Sequence, residues 1–157
     1  MWIAKISGVT NLDAAISVDV SSEFAIGTII DDIGEIRSVS KFDARRIFAT
    51  VEFCITIAEI VPTSINEIFE TQDICQPNMI QINGEFFDNE DNLIAVQSIA
   101  TIPIIGSITI DKEPFESNIL DPDPVKAVKI LDRYVHVVNV NLPIGSSWNS
   151  VKKRKQI

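Results

Sequence analysis

The excess of β-branched over unbranched aliphatic residues is the feature that most limits what this chain can fold into. Its 157 residues include 28 isoleucines and 14 valines but only five leucines. Isoleucine and valine side chains are stiff about χ1 and suit the pleated surface of a sheet better than a helix. We therefore expect a chain built mainly from strands.

Alternation of apolar and polar residues indicates where those strands lie. A period of two predicts strands at residues 1–7, 16–20, 47–61, 104–110 and 134–142. Two further segments, 28–40 and 79–102, have apolar arms around an acidic turn and are predicted to be hairpins, the first with Gly34 at a positive φ. Residues 47–61 also fit a helix that aligns Ile47, Val51 and Cys54, so this segment has two interpretations.

Two short helices are predicted from capping signals. Ser64 and Glu67 have the spacing of a capping box, which predicts a helix over 65–71. Asp123 followed by Pro124 is typical of an N-cap and first helical position, which predicts a helix over 125–132.

The fold class that follows is mainly β. We expect residues 1–150 to form a single antiparallel β-sandwich or barrel-like domain with one or two short helices. If residues 42–61 are helical, the class becomes α+β. Residues 151–157 are expected to form a basic tail.

Charge is distributed unevenly along the chain. The formal net charge is −9, and four of the 13 basic residues lie in the last seven positions, which leaves 22 acidic against nine basic side chains elsewhere. A body this acidic disfavours generic binding of nucleic acid. The residues expected to contact a protein partner, or another copy of the chain, are Trp2, Lys152, Lys153, Arg154 and Lys155.

Cysteine usage and hydropathy predict a protein of the cytoplasm or of a virion, with no secretion signal. Cys54 and Cys75 have no zinc-type or CxxC spacing and are expected to be buried, reduced thiols. The most apolar run, 99–110, is interrupted by Pro103 and Gly106 and is too short to span a membrane. No cofactor is expected.

The acidic segment 88–92 is the strongest candidate for a metal site. Asp88, Glu90 and Asn92 match positions 1, 3 and 5 of an EF-hand loop, but Leu93 and Ile99 replace its glycine and its bidentate glutamate. We therefore expect a turn without a metal, with these three residues as weak candidate ligands.

Other candidate catalytic groups also have simpler interpretations. His136, the single histidine, is expected to be a strand residue with a hydrogen-bonded ring, because no nucleophile motif accompanies it. The carboxylate groups are expected to be solvated turn residues; they are Asp31 with Asp32, Asp88 with Glu90 and Asp91, Glu113 with Glu116, and Asp121 with Asp123.

These observations predict a non-enzymatic structural or assembly protein, such as a small β-domain subunit of a virus or phage particle or another large complex. One alternative is an acidic binding module of the inhibitor or immunity type that faces a basic partner. A second alternative is a metal-dependent enzyme that uses the turn carboxylates.

Overall fold

A computed structural model of the chain describes residues 4–111 and 116–142, in which strands and helices alternate. The strands are β1 (Ala4–Ile6), β2 (Phe24–Ile30), β3 (Ser38–Val39), β4 (Ile55–Ile60), β5 (Met79–Ile82), β6 (Ile104–Thr109) and β7 (Val137–Asn141). The helices are α1 (Leu12–Val18), α2 (Lys41–Thr50), α3 (Ile65–Cys75), α4 (Glu90–Ile99) and α5 (Pro124–Leu131), with a 3-10 turn at Phe86–Asp88.

The strands form one sheet in which every ladder is parallel. Its order is β1-β2-β4-β5-β6-β7, and the two-residue β3 pairs with β2 beside this path. Neighbouring strands of the path follow one another along the chain with a helix between them, as in a (β/α) barrel. The predicted antiparallel sandwich is therefore wrong, and so is the α+β alternative.

The parallel sheet explains why the strands contain so few polar residues. Helices cover its outer face, where the main core includes Ile26, Ile80 and Ile108 at 0% exposure. The inner face has a smaller cluster around Ala25, Ile57 and Ile105. Strands that are buried on both faces become nearly continuous apolar runs, such as IIGSIT in β6.

The predicted strand at residues 16–20 is wrong, and the one at residues 47–61 is correct only over β4. Residues 16–20 overlap the end of α1, and residues 47–61 divide into the end of α2, a loop and β4. At the start of the second segment the buried apolar residues recur at helical spacing, since Ala44, Ile47 and Phe48 all lie on the buried face of α2. Ser40 begins α2 by accepting a hydrogen bond from the Asp43 N–H at 3.1 Å.

Neither predicted hairpin forms. The segment after β2 does not form an antiparallel arm: β3 runs parallel to β2, with Ile30 opposite Val39. Gly34 does have the predicted positive φ, at +97°. After β5 the acidic segment leads into α4, whose N-cap Asn89 accepts from the Asp91 N–H at 2.9 Å. The acidic turn predicted for the second hairpin is thus the N-cap and first turn of α4.

Several local predictions are confirmed. Residues 104–110 contain β6, the segment 134–142 contains β7, and both thiols are free and buried. Helix α5 starts at Pro124, and Asp123 accepts from the Val125 N–H at 2.9 Å. Helix α3 is present but longer than predicted, and the Ser64 side chain makes no capping hydrogen bond.

The described part of the chain contains no helix with the length and apolar character needed to cross a membrane. The expected boundary between residues 150 and 151 lies outside residues 4–111 and 116–142, so the division into a domain and a basic tail stays a prediction.

Candidate functional site

Polar side chains interrupt the apolar strands on the inner face of the sheet. Lys5 is in β1, Glu59 in β4 and Gln81 in β5, and each lies between apolar residues of its own strand. Glu59 and Gln81 are direct neighbours in the ladder, toward the carboxyl ends of their strands. In parallel barrel folds this end of the sheet carries the active site.

These three side chains form one hydrogen-bonded cluster. The Lys5 Nζ lies 3.3 Å from Glu59 Oε2 and donates a short hydrogen bond to Gln81 Oε1. The Gln81 amide in turn donates to Asn83 Oδ1 at 2.9 Å. The Lys5 side chain is 26% exposed whereas that of Glu59 is 6% exposed, so the carboxylate is nearly removed from water.

Gly27 makes this cluster possible, because β2 lies between the strands of Lys5 and Glu59. A Cβ on Gly27 would lie 2.0 Å from Glu59 Oε1 and 3.3 Å from Ser7 Oγ. The first distance is far below any van der Waals contact. The carboxylate therefore occupies the space that the missing side chain leaves.

The second oxygen of Glu59 has an unusual environment. Oε1 is buried and has no hydrogen-bond partner, a condition that only Thr28 Oγ1 shares among the described side chains. An unsatisfied buried polar group costs about 1–3 kcal/mol, more when it is charged. Such groups are rare enough in native proteins to require an explanation, and a catalytic role is one of the recognised explanations.

A cavity of about 300 Å³ lies beside the cluster on the inner face. Lys5, Gln81 and Asn139 contribute polar groups to its wall, and most of the remaining wall is apolar. Toward β7, Asn139 donates to Ser107 Oγ at 3.2 Å and to Asn141 Oδ1 at 3.0 Å. The site therefore combines a charged cluster on β1 and β4 with neutral polar groups on β6 and β7.

A cationic side chain lies near the same edge of the sheet. The Arg37 guanidinium packs over Gly8, and its Nε donates to Glu35 Oε1 at 3.0 Å. This hydrogen bond, aided by the charge of Glu59, raises the pKa of Arg37, and the same bond lowers the pKa of Glu35. Arg37 thus stays fully charged at the rim of the site.

A larger cavity, of about 470 Å³, lies between the loops that follow β2 and β4. Its wall contains Lys41, whose Nζ is 2.9 Å from Asp31 Oδ2, and the hydrogen bond to Asp31 raises the pKa of Lys41. The one lysine of this wall is thus already engaged by Asp31 and, at 3.8 Å, by Glu70. We place the candidate site at the Lys5 cluster, where a buried carboxylate oxygen is unpaired.

The predicted metal candidates serve the fold. Asp88 Oδ1 accepts from the Leu120 N–H at 3.0 Å, Asn92 donates to the Phe86 carbonyl at 2.8 Å, and Glu90 lies in the first turn of α4. Within residues 4–111 and 116–142, no three His, Cys, Asp or Glu side chains are grouped so that they could hold a metal ion. The proposed partner residues, Trp2, Lys152, Lys153, Arg154 and Lys155, lie outside the described residues, as does Glu113.

The remaining candidates also have structural roles. His136 lies just before β7, and its Nδ1 accepts from the Ile104 N–H at 3.1 Å, so its ring is hydrogen-bonded as predicted. Asp121 Oδ1 accepts from the Asp123 N–H at 2.9 Å, and Asp123 caps α5. Asp121 and Asp123 thus accept hydrogen bonds from the backbone at the start of α5.

Sequence reasoning missed Lys5, Glu59, Gln81 and Gly27. Lys5 and Gln81 lie in runs predicted to be strands, and Glu59 lies in the segment with both a strand and a helix interpretation. Gly27 directly precedes the predicted hairpin at residues 28–40. A lone charged or amide residue within such a run is the signal that was available, because parallel strands bury both faces and leave a polar side chain few places except a site.

No protein-family model matches the chain, and no curated protein matches it in sequence. Solved structures do match. The phosphoribosyl anthranilate isomerase from Thermotoga maritima is 22% identical, with a TM-score of 0.68 over 94% of this chain and 66% of the other. The isomerase from Thermococcus kodakaraensis is 15% identical, with a TM-score of 0.67 over 94% of this chain and 67% of the other.

The fold is that of these isomerases. A further structure, of such an isomerase in complex with reduced 1-(o-carboxyphenylamino)-1-deoxyribulose 5-phosphate, is 19% identical, with a TM-score of 0.68 over 99% of this chain and 71% of the other. The chain thus spans about two thirds of the length of the structures that it matches.

These similarities contradict the functions expected from a β-sandwich. The prediction of a non-enzymatic structural or virion subunit is wrong, because the fold is a parallel α/β half-barrel whose structural neighbours are enzymes. The alternative of an acidic binding module, which rested on the negative charge of the chain, is contradicted by the same similarities. A protein partner stays a prediction; one of the neighbours is described as monomers generated from a dimeric isomerase.

Proposed function

We propose that this protein is an enzyme that catalyses proton transfer within a small polar substrate, an isomerisation, at the carboxyl ends of its parallel strands. The observation that carries the proposal is Glu59, whose Oε1 is buried and unpaired while Oε2 faces Lys5 at 3.3 Å. A carboxylate with unused lone pairs in a dry site is a suitable proton acceptor.

Each residue of the cluster has a distinct role in this proposal. Glu59 takes a proton from one position of the substrate and returns it at another, so that the enzyme ends the reaction as it began. Rotation about the last torsion of Glu59 exchanges its two carboxylate oxygens without moving the rest of the side chain. The Lys5 ammonium faces the negative charge that remains on the substrate and stabilises it. Gln81 holds Lys5 in place through its hydrogen bond.

The names of the structural neighbours support the choice of reaction class. Those proteins are isomerases of phosphoribosyl anthranilate, and one was solved in complex with reduced 1-(o-carboxyphenylamino)-1-deoxyribulose 5-phosphate. We propose phosphoribosyl anthranilate as the substrate with which to test this chain.

The test measures conversion of phosphoribosyl anthranilate by the full chain, with calorimetric titration of reduced 1-(o-carboxyphenylamino)-1-deoxyribulose 5-phosphate in parallel. We expect conversion that the reduced compound inhibits at the concentration at which it binds. Binding without conversion would contradict an enzymatic role for this site, and absence of both would reject the substrate as well.

A further inference from the structure

A small cavity, of about 240 Å³, lies where β6 and β7 begin. Its wall is formed by the end of α4, by Ile104 at the start of β6 and by residues 133–136, which connect α5 to β7. The Lys5 cluster lies toward the opposite, carboxyl ends of the strands. In barrel folds the amino ends of the strands serve stability and do not carry the active site, so a ligand of this cavity is not the substrate.

The wall of this cavity has a positive charge, although the chain as a whole is acidic. Its one permanently charged group is the Arg133 guanidinium, and no acidic residue that the structure describes lines it. By contrast, four acidic residues line the 470 Å³ cavity. Arg133 forms no ion pair with another residue in 4–111 or 116–142. Its planar fork of N–H groups fits the oxygens of a carboxylate or a phosphate.

His136 adds a second donor, whose orientation is fixed by the start of β6. The His136 backbone N–H donates to the Ile104 carbonyl at 3.0 Å, and the ring Nδ1 accepts from the Ile104 N–H at 3.1 Å. A neutral imidazole that accepts at Nδ1 carries its proton on Nε2. The Nε2–H group is therefore the donor that remains for a ligand.

Tyr134, which is half-buried, contributes a phenolic O–H to the same wall. The backbone around it is already hydrogen-bonded: the N–H groups of Tyr134 and Val135 donate to the Leu131 carbonyl, and the Gln97 amide donates to the Arg133 carbonyl at 3.3 Å. These carbonyl oxygens are engaged, so the side chains present N–H and O–H donors to the cavity.

We infer that this cavity binds a small oxyanion, a carboxylate or phosphate group, through Arg133, Tyr134 and His136. Its volume is below the roughly 300 Å³ at which small-molecule sites begin, so the ligand is an anion of a few heavy atoms. The ligand stabilises the folded chain by mass action, because the turn that provides the donors exists only in the folded state. The inference does not rest on the proposed function.

Inorganic phosphate and acetate are the probes. Each is titrated into the isotopically labelled full chain at constant ionic strength, with chloride as the balancing anion, while the backbone amide NMR signals of residues 97 and 133–136 are followed. We expect saturable shifts of these signals with a dissociation constant of about 1–10 mM, as a few charge-assisted hydrogen bonds provide. Saturation by phosphate alone or by acetate alone supports the site and identifies its anion. Absence of saturable shifts with both probes overturns the inference.

An arginine pair tests whether the charge acts locally. Arg133→Gln should weaken binding about tenfold, because a charge-assisted hydrogen bond is lost. Arg46→Gln removes the same charge from a side chain on α2 that is 71% exposed, and it should leave the affinity unchanged. Equal weakening in the two variants would show that only net charge matters and would overturn the site.

Two further variants test the neutral donors. Tyr134→Phe removes only the hydroxyl group, and His136→Asn removes Nε2–H while its amide oxygen can still accept from the Ile104 N–H. Each should weaken binding about threefold. If one variant does not give the amide spectrum of a folded chain, the other decides. Unchanged affinity in the folded variants overturns the assignment of these donors.

Discussion

Lys5 and Glu59 contact each other across a strand to which neither belongs. Their nitrogen and oxygen are 3.3 Å apart, although β2 separates β1 from β4. The contact requires that β2 present no side chain between them, and Gly27 meets this requirement. The absence of a Cβ at Gly27 thus allows side chains from β1 and β4 to meet across β2.

Replacement of Gly27 by Ala should separate this pair. The new methyl group would meet Glu59 Oε1 at 2.0 Å, so we expect Gly27→Ala to lower the free energy of unfolding by about 1–3 kcal/mol, as overpacking does. Urea unfolding measures the change. In a Glu59→Ala background the clash is absent and the loss should be smaller; equal losses in both backgrounds would show that Glu59 is not the obstacle.

Asp19 should make stability depend on pH. Burial acts to raise the pKa of Asp19, but hydrogen bonds from the backbone N–H groups of Glu52, Phe53 and Cys54 outweigh it and hold the pKa below its ordinary value of 3.8. A lowered pKa contributes stability above the unfolded-state value, and this stability is lost as the pH falls through the folded-state value.

The test compares Asp19→Asn with the parent chain. We expect the variant to unfold about 1–2 kcal/mol more easily at neutral pH, with the difference shrinking as the pH falls below 3.8. The exposed Asp73→Asn serves as the control. A difference that grows toward acid pH would contradict the role of the Asp19 charge.

The two predicted helix caps should differ in energy. Asp123 accepts from the Val125 N–H, whereas the side chain of Ser64 makes no capping hydrogen bond. Asp123→Ala should therefore lower the free energy of unfolding by about 1 kcal/mol, and Ser64→Ala by less than about 0.3 kcal/mol. Chemical denaturation of both variants measures the contrast, and equal losses would refute it.

The buried thiols should react slowly. Burial raises the pKa of Cys75 to about 11 from an ordinary 9.0, and burial together with the Asp19 carboxylate raises the pKa of Cys54. At pH 8 the thiolate fraction of Cys75 should fall about a hundredfold. We expect alkylation of Cys75, followed by mass spectrometry, to be at least that much slower in the folded chain than in urea, and similar rates would show that the site is open.

Local signals in the sequence predicted some elements correctly and failed at the level of the sheet. Asp123 and Pro124 determine the start of α5 through contacts between adjacent residues, so the sequence was sufficient there. The isoleucine excess was misleading because isoleucine also fills helix positions such as Ile47 when a helix packs on a sheet. Parallel pairing depends on contacts between distant segments, and its local sign, the nearly continuous apolar run of β6, does not identify the partner strands.

The site was harder to predict for the same reason. Lys5, Glu59 and Gln81 are separated by 54 and 22 positions along the chain and meet only through the ladder register. Conversely, the acidic segment around Asp88 is prominent in the sequence yet serves to cap α4 and to bind the Leu120 backbone. Local charge density was therefore a poor guide, whereas an isolated polar residue in a buried strand was informative.

The most direct test of the central claim is the rate at which Glu59→Gln isomerises phosphoribosyl anthranilate at saturating substrate. The substitution keeps the shape of the side chain and removes the proton acceptor, so the turnover number should fall about 10²–10⁴-fold. Glu90→Gln, in the exposed first turn of α4, should retain the activity of the parent chain. A Glu59→Gln variant as active as Glu90→Gln would contradict the assignment of the reaction centre.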